Sequence, residues 1–256
     1  MIIKNEYPIL EYSTEANAII NPNRFPNVTE PPRLCLVTFF EDVLNNFVTK
    51  YNGKIIATYR SEMKSFHVYK LTYNEVELCV VQAVVASGAI AILTDFLYGM
   101  GIEVIVCCGS CGVLDDIPSG DIIIPTRALR DEGASYKYLP PSRFIELSPI
   151  PIKVFKEVLT KNKISYIECA TWSTSGFYRE TKDMVAYRKE EGCKVVEMEC
   201  ATMAAIAEFR GKLFGQLLYS GDILVGNDEY DDRGWYSNLS AREKLFYISL
   251  ESLCML

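Results

Sequence analysis

The chain has 256 residues, of which 49% are hydrophobic and 23% are charged. This composition predicts one folded domain with a substantial core and excludes a disordered chain. A formal net charge of -7 excludes a broad nucleic-acid-binding surface, because most of the protein would repel a polyanion. We find neither an apolar run long enough to span a membrane nor a signal-peptide pattern at the start, and therefore expect a cytoplasmic protein with no membrane or nucleic-acid partner.

The N-terminal part of the sequence predicts an irregular arm followed by the start of an α/β domain. Residues 1–32 are rich in Asn, Pro and Glu, a composition typical of irregular chain. We therefore assign 1–32 to an arm and 33–256 to the domain. Hydrophobic patterning then predicts a strand at 34–40, a helix at 41–51, strands at 54–60, 67–73 and 76–85, and a helix at 88–99.

The C-terminal part alternates strands with helices. The patterning predicts a strand at 103–108 with a glycine-rich turn at 109–112, strands at 121–129, 165–172, 193–199 and 212–224, and helices at 150–163, 181–192, 200–209 and 240–256. This alternation predicts a three-layer single α/β domain with a central mixed, mostly parallel sheet flanked by helices. In such sheets ligands bind at the carboxyl ends of strands, so the segments that follow strands are candidate sites.

Two of these segments suggest an anion site and a sugar site. The turn from Gly109 to Gly112 reads GSCG, and its glycines would let backbone N–H groups around Ser110 point at one anion; a plain turn is the alternative. Residues 197–199 read EME, and Glu199 at the end of a buried strand could accept hydrogen bonds from both hydroxyls of a vicinal diol. Glutamates that only favour a helix N-terminus are the alternative.

Two further segments suggest a site for a planar base. Asp222 in SGDIL follows an apolar strand and would be a general acid toward a leaving group if burial raises its pKa. A turn aspartate that bonds its own backbone is the alternative. Phe177 and Tyr178 follow a Ser/Thr/Gly loop and could stack on a base, although aromatic side chains at this position also suit a core.

Cysteine and histidine usage indicates no metal or cofactor site. Cys108 and Cys111 have the spacing of a redox or metal half-site, but a turn rather than a helix follows them and the sequence offers no second ligand pair. The odd count of nine cysteines favours reduced thiols. The one histidine, His67, lies in an alternating strand-like stretch, which favours a partly exposed strand residue over a catalytic base.

The order of these segments resembles that of a known family. The sequence contains in turn GSCG, residues 126–141, SGFYRE, VEMECATMAAIAEF and SGDIL. This series is similar to the landmarks of the hexameric-type purine nucleoside phosphorylases and the uridine phosphorylases, whose fold is shared by nucleosidases that hydrolyse methylthioadenosine. The similarity covers roughly residues 33–225, and residues 229–235 resemble the ending of a less-studied branch.

The resemblance implies that phosphate attacks C1′ of a ribonucleoside, which gives the free base and ribose 1-phosphate. It implies a ribose site in which Glu199 binds the hydroxyls, Met198 packs under the sugar and Glu197 lies beside them. The resemblance implies that the protein takes part in little covalent chemistry. Its contribution is an anion near the sugar, which stabilises the cationic character that develops there.

The resemblance also implies a base site and its preference. Phe177, with Tyr178, would stack on the base, and Asp222 would protonate a purine at N7. Pyrimidine enzymes of the family carry a Gln-Arg pair for the uracil edge, and no such Gln follows Tyr178. We therefore expect a purine preference, with uridine second.

The phosphate site is where the sequence departs from the family. Gly109 and Ser110 match part of that site, but the family's phosphate-binding arginine falls at Cys107. Arg60 and Arg24 are the candidate replacements, from this chain or from a neighbouring subunit. We still expect phosphate as co-substrate, no cofactor, and a homodimer or hexamer, because the family's active sites lie near subunit interfaces.

Two alternatives to a phosphorylase remain open from the sequence. In a hydrolase of the same fold, water replaces phosphate, and the missing arginine favours this possibility. A non-catalytic nucleoside-binding protein is the other, since a fold can be kept after an activity is lost.

Overall fold

The structure is a computed structural model that describes residues 1–24, 28–224 and 230–256. Its strands are β1 (Ile2–Ile3), β2 (Tyr12–Ser13), β3 (Leu34–Thr38), β4 (Lys54–Arg60), β5 (Ser65–Tyr73), β6 (Val76–Gln82), β7 (Val104–Val113), β8 (Ile122–Asp131), β9 (Phe144–Glu146), β10 (Tyr166–Thr174), β11 (Cys193–Glu197) and β12 (Leu213–Ile223). Its helices are α1 (Glu41–Lys50), α2 (Ser87–Met100), α3 (Pro149–Lys161), α4 (Lys182–Glu190), α5 (Cys200–Arg210) and α6 (Leu239–Leu253).

The longer strands form one mixed sheet in the order β11-β10-β8-β12-β7-β3-β6-β5-β4, with β9 paired to β8. Strands β6, β3, β7 and β12 run parallel to one another, whereas β4, β5 and β6 form an antiparallel edge. All five residues of β3 are buried, which agrees with a strand covered on both faces. The carboxyl ends of β7 and β12 therefore lie together at one edge of the sheet.

The sheet closes on itself at one end. Strand β11 pairs with β10 and also, in antiparallel fashion, with β7, so that β11, β10, β8, β12 and β7 form a barrel-like unit. The prediction of a single α/β domain with a mixed sheet is confirmed. The expected excess of parallel pairs is not, because the described strands of this sheet form five parallel and five antiparallel pairings. Because of the closure, the three-layer arrangement is not confirmed either.

Two groups of helices cover the sheet. Helices α2 and α5 pack against one core cluster, which contains Leu97 and the β7 residue Ile105. Helices α1, α3 and α6 pack against the other, which contains Phe246 and the next β7 residue, Val106. Neighbouring strand residues point to opposite faces, so the apolar run of β7 supplies both clusters.

The N-terminal arm contains little regular structure. Strands β1 and β2 pair in antiparallel fashion, and Lys137 Nζ donates to the carbonyl oxygens of Pro8 at 3.0 Å and Ile9 at 3.2 Å. These contacts dock the arm on the domain. The boundary between residues 32 and 33 stays a prediction.

The predicted glycine turn at 109–112 is wrong, because β7 continues through these four residues. A Cβ atom on Gly109 would lie 2.8 Å from the Phe39 ring, and one on Gly112 would lie 2.6 Å from Leu224 Cδ1. The glycines therefore permit close packing across the strand. Strand geometry does not provide the anion nest expected there.

The Cys108 and Cys111 thiols of this strand are both buried. Cys108 Sγ donates to Thr38 Oγ1 at 3.3 Å, and burial raises the pKa of Cys108 to about 12. In the described part of the chain, no group of three or more His, Cys, Asp or Glu side chains is arranged to hold a metal ion. No helix among the same residues is long and apolar enough to cross a membrane.

Candidate active site

A cavity of about 630 Å³ opens at the carboxyl ends of β7, β11 and β12. Its lining brings together parts of the chain that are far apart in sequence. The acidic lining residues are Glu41, Glu180, Glu197, Glu199 and Asp222, and the aromatic ones are Phe39, Phe40, Phe177, Trp235 and Tyr236. Carboxylates that accept hydrogen bonds beside flat apolar walls suit a polyhydroxyl ligand that carries a planar group.

Glu199 is a buried carboxyl group with hydrogen-bonding capacity left. It lies between β11 and α5 and is 5% exposed. Its Oε1 accepts from the N–H of Ala86 at 2.6 Å, and its Oε2 accepts from the N–H of Met198 at 3.3 Å. Among the described residues no cation forms an ion pair with it. Each oxygen can therefore accept one further hydrogen bond from a ligand hydroxyl.

Glu197, two residues earlier, is engaged by the protein itself. Its Oε1 accepts from Thr171 at 3.2 Å and from Ser173 at 2.5 Å, while its Oε2 accepts from the N–H groups of Glu199 at 2.7 Å and Cys200 at 2.6 Å. The last two bonds hold the first turn of α5, where negative charge is favourable. The interpretation of a glutamate that favours a helix N-terminus therefore applies to Glu197, whereas Glu199 lines the cavity and its ligand role stays a prediction.

Burial raises the pKa values of both Glu197 and Glu199, and the charge of Glu197 adds to the shift of Glu199. Burial raises the pKa of Glu199 to about 8, with the Glu197 charge as the second cause. Burial also raises the pKa of Glu197, although its four donors oppose the shift. Cys107 lies close enough for both carboxyl groups to act on it, and burial raises the pKa of this thiol well above its usual range. The position of the family's arginine therefore holds a neutral group.

A β-bulge turns Asp222 toward the cavity. Ser220 pairs with Cys111 and Ile223 with Val113, so two residues of β12 lie opposite one residue of β7. Bulges commonly re-aim a side chain next to a site. Burial raises the pKa of Asp222, whereas a hydrogen bond from Tyr230 and the Arg233 charge oppose that shift.

The residues that follow Asp222 contribute to the same side of the cavity. Arg233 Nε donates to the carbonyl oxygen of Gly221 at 2.7 Å, and its Nη2 donates to that of Asp222 at 3.3 Å. The segment 229–235 noted in the sequence begins at a residue outside the described part. Within the rest of it, Trp235 lies in the cavity lining.

Some of the residues predicted to contact the sugar and the base lie together in the cavity. Met198 and Phe177 line the cavity, and Phe177 is 48% exposed. Tyr178 is 92% exposed and is not part of the lining; its ring only meets the Phe177 ring edge-on, with 5.0 Å between centroids. The structure therefore offers one aromatic side chain from this loop to a base.

Ser110 reaches the cavity, but the other predicted phosphate residues do not. Its hydroxyl is hydrogen-bonded with Tyr219, whereas Gly109 packs under Phe39. Arg60 lines a separate cavity of about 490 Å³ beside α2 and β4. Arg24 is exposed in the one-turn helix Pro22–Arg24 and lines neither cavity. Within one chain, neither arginine meets Ser110.

Arg242 on α6 is a functional candidate that the sequence did not reveal. Its Nη2 donates to Asp42 Oδ1 at 2.5 Å, its Nη1 donates to the carbonyl oxygen of Tyr236 at 3.0 Å, and the guanidinium lies 5.0 Å from the Phe40 ring centroid. Its Nε is buried and has no hydrogen-bond partner in the described part. Arg242 is the one cationic side chain that the described residues contribute to the cavity lining. The sequence shows only one polar residue of an amphipathic helix, because Asp42 lies 200 positions away.

Glu180 is the second candidate that the sequence did not single out. It lines the cavity with Phe177 and Asp222. Burial raises its pKa to about 7, and the Asp222 charge adds to that shift. The one available signal was its position, directly after the aromatic loop and before the helix α4.

The protein is a closed α/β sheet with a carboxyl-rich cavity at its strand ends, the place where sheets of this kind bind ligands. The sequence profile of the phosphorylase superfamily matches residues 33–244. The chain belongs to this superfamily, and the resemblance seen in the sequence is thereby confirmed.

Proteins similar to this chain carry the names of different activities. Guanosine phosphorylase of Halorubrum lacusprofundi is 24% identical over 178 residues, which are 67% of this chain and 72% of that protein. Uridine phosphorylase from Vibrio fischeri ES114 superposes with a TM-score of 0.76 at 19% identity, covering 93% of this chain and 99% of that one. AMP nucleosidase from Bacteroides thetaiotaomicron superposes with a TM-score of 0.71 at 20% identity, covering 88% of each chain. The two solved structures show that this chain shares their fold. One is named as a phosphorylase and the other as a nucleosidase.

Proposed function

We propose that the protein cleaves the N-glycosidic bond of purine ribonucleosides and transfers the ribosyl group to phosphate. The observation that carries this proposal is the pairing of Glu199 and Asp222 in one cavity, with Glu199 buried and still able to accept two hydrogen bonds. The similarity to a protein named guanosine phosphorylase supports the same reaction class.

Glu199 is the proposed ribose-binding residue. The 2′ and 3′ hydroxyls of a ribose lie side by side, and one carboxylate can accept from both. When the bond between C1′ and the base lengthens, the sugar gains positive charge. The ionised form of Glu199, which becomes more populated as the pH rises toward its pKa of about 8, stabilises that charge more in the transition state than in the ground state. Met198, half-buried in the lining, would pack against the apolar side of the ring.

Asp222 is the proposed general acid. As the C1′–N9 bond breaks, its electron pair moves into the purine, and a proton from the Asp222 carboxyl group to N7 makes the base a neutral leaving group. Burial raises the pKa of Asp222, which favours the protonated form that this step needs. Uridine is the second substrate class, because a pyrimidine has no N7 to protonate.

Ser110 and Arg242 are the proposed donors to phosphate. Both line the cavity, and Arg242 Nε has no partner in the described part. A phosphate oxygen would attack C1′ on the side opposite the base and form the new C–O bond of ribose 1-phosphate. Assembly into a homodimer or hexamer, and a cytoplasmic location, stay predictions.

Hydrolysis is the second candidate, and the acidity of the cavity favours it. Five carboxyl groups of the described residues line the cavity, while Arg242 is already paired with Asp42. The family's arginine is replaced by Cys107, which is buried and neutral. Phosphate would therefore meet repulsion that a water molecule does not.

The deciding experiment measures base release from adenosine, inosine, guanosine and uridine while phosphate is varied from zero to saturation. We expect a rate that saturates with phosphate and a sugar product identified as ribose 1-phosphate. Equal rates without phosphate, with free ribose as product, would overturn phosphorolysis in favour of hydrolysis. A uridine preference would overturn the role of Asp222 toward N7.

A further inference from the structure

Glu180 is a second carboxyl group on the base side of the cavity. It lines the cavity together with Phe177 and Asp222, and the Asp222 charge acts on it. No ion pair or side-chain hydrogen bond engages Glu180 within residues 1–24, 28–224 and 230–256, so the carboxyl group has its acceptor capacity open to a ligand.

Local hydrogen bonds hold Glu180 in place. The N–H of Arg179 donates to the carbonyl oxygen of Gly176 at 2.6 Å, which closes the one-turn helix before Glu180. The N–H of Thr181 donates to the carbonyl oxygen of Arg179 at 2.9 Å, and the Thr181 hydroxyl caps α4 by accepting from Met184. The residue is thus fixed from both sides, which suits recognition of a defined ligand atom.

The charges around this pair come from three elements. Asp222 is on β12, and the residues that act on it from the following segment are Tyr230, Asp232 and Arg233. From its own loop, Glu180 has Arg179 and Lys182 as charged neighbours in sequence. Arg233 is directed at backbone oxygens of Gly221, Asp222 and Ile117. The hydrogen bonds of the Arg233 guanidinium thus go to backbone oxygens and not to either carboxyl group.

On the basis of the proposed function, we infer that Glu180 selects 6-aminopurine nucleosides by accepting a hydrogen bond from the 6-amino group while Asp222 donates to N7. On a purine, N7 and the substituent at position 6 are neighbours on one edge. Adenine presents an acceptor at N7 and a donor at N6. With Asp222 protonated and Glu180 ionised, the two carboxyl groups of this lining present the matching donor and acceptor.

A 6-oxopurine mismatches this arrangement. Its O6 is an acceptor, as in guanine, and would face the acceptor oxygens of Glu180. A site built to bond a substrate N–H rejects the analogue that lacks it, because a buried polar group is left unpaired. Glu180→Gln supplies an amide N–H that can donate to O6, so this change is expected to lower the preference for adenosine.

The test compares kcat/KM for adenosine and inosine in the wild type, in Glu180→Gln and in Glu190→Gln, a matched change at an exposed position of α4. We expect the wild type to prefer adenosine by about 10- to 100-fold. Glu180→Gln should lower that ratio by at least about 10-fold, and Glu190→Gln should leave it unchanged. A wild type that prefers inosine or guanosine, or a ratio that Glu180→Gln does not alter, overturns the inference.

Calorimetric binding of free adenine and free hypoxanthine separates this inference from the proposed function. If no nucleoside is cleaved, the proposed function fails, yet tighter binding of adenine that is lost in Glu180→Gln still supports the role of Glu180. Equal binding of the two bases by the wild type, or binding of neither, contradicts that role. The wild-type comparison requires no variant to fold.

Discussion

The backbone N–H of Ala86 donates to Oε1 of Glu199 at 2.6 Å, across 113 positions of sequence. Ala86 makes this bond with φ +80° and ψ 142°, directly before α2. A side chain rarely adopts such a conformation, which costs on the order of 1–3 kcal/mol. The proposed ribose carboxylate is therefore held by a strained backbone, as is common at binding sites.

Replacing Ala86 with glycine should stabilise the protein. Relief of the strain outweighs the extra entropy of an unfolded glycine, so we expect a net gain of about 1 kcal/mol. Ala89→Gly in the first turn of the same helix should instead destabilise by about 0.5–1 kcal/mol. Urea unfolding of both variants checks this. If both substitutions change the free energy of unfolding in the same direction, Ala86 is not strained.

Glu197→Gln and Glu199→Gln should differ in their effects on stability. Glu197 accepts four hydrogen bonds, two at each carboxylate oxygen. In the glutamine variant an NH2 group replaces one of these oxygens, and it cannot accept the two hydrogen bonds made there. We expect a loss of about 2–4 kcal/mol for Glu197→Gln, since buried donors lose a charged acceptor. Glu199→Gln removes repulsion between buried carboxyl groups and should be neutral or stabilising at pH 8. Thermal unfolding of the pair provides the measurement, and equal losses would contradict the division of roles.

The stability of the wild type should fall as the pH rises from about 5 to 8. The folded pKa of Glu199 is raised to about 8, whereas an unfolded glutamate has a pKa of about 4.3. Between these values the folded state holds a proton that the unfolded state lacks, so stability decreases with pH. The difference in unfolding free energy between Glu199→Gln and wild type should therefore grow across this range. A difference that stays constant with pH argues against the raised pKa.

Arg242→Gln should weaken phosphate use specifically. If Arg242 donates to phosphate, its loss should raise the KM for phosphate by at least about 10-fold, the cost of one charge-assisted hydrogen bond, with the KM for nucleoside changed far less. Lys244→Gln, at an exposed position of the same helix, is the control. Initial rates at varied phosphate provide both constants. An unchanged KM for phosphate would remove Arg242 from the proposed site.

The preference for adenosine over inosine should increase as the pH rises from 6 to 8. The pKa of Glu180 is raised to about 7, so the group donates to O6 below this value and accepts from N6 above it. The ratio of kcat/KM values, measured across this range, should lose its pH dependence in Glu180→Gln. A wild-type ratio that does not vary with pH contradicts this titration.

The sequence predicted the strands and helices of the sheet well, because long apolar runs and amphipathic patterns decide them locally. It placed the turn at 109–112 wrongly, since two glycines after a strand also occur where packing leaves no room for a Cβ atom. Here that room is taken by Phe39 and Leu224. The closure of the barrel by β11 and β7 likewise depends on contacts between distant segments.

The candidate site was predictable where a residue stands at a strand end. Glu199 and Asp222 were found in this way, because parallel strands bring their carboxyl ends to one edge. Arg242 and Glu180 were missed, since Arg242 reaches the cavity through the packing of α6 and Glu180 through a one-turn helix. Neither kind of placement leaves a periodic signal in the sequence.

The central claim is that Glu199 binds the ribose of a nucleoside that the protein cleaves. The most direct measurement is kcat/KM for base release from adenosine, inosine and guanosine by wild type, Glu199→Gln and Glu208→Gln, the last an exposed position on α5. We predict a loss of at least about 100-fold for Glu199→Gln and none for Glu208→Gln. Equal, negligible turnover by wild type and Glu199→Gln, with a nucleoside still bound by wild type, would contradict the claim and indicate a non-catalytic binding protein.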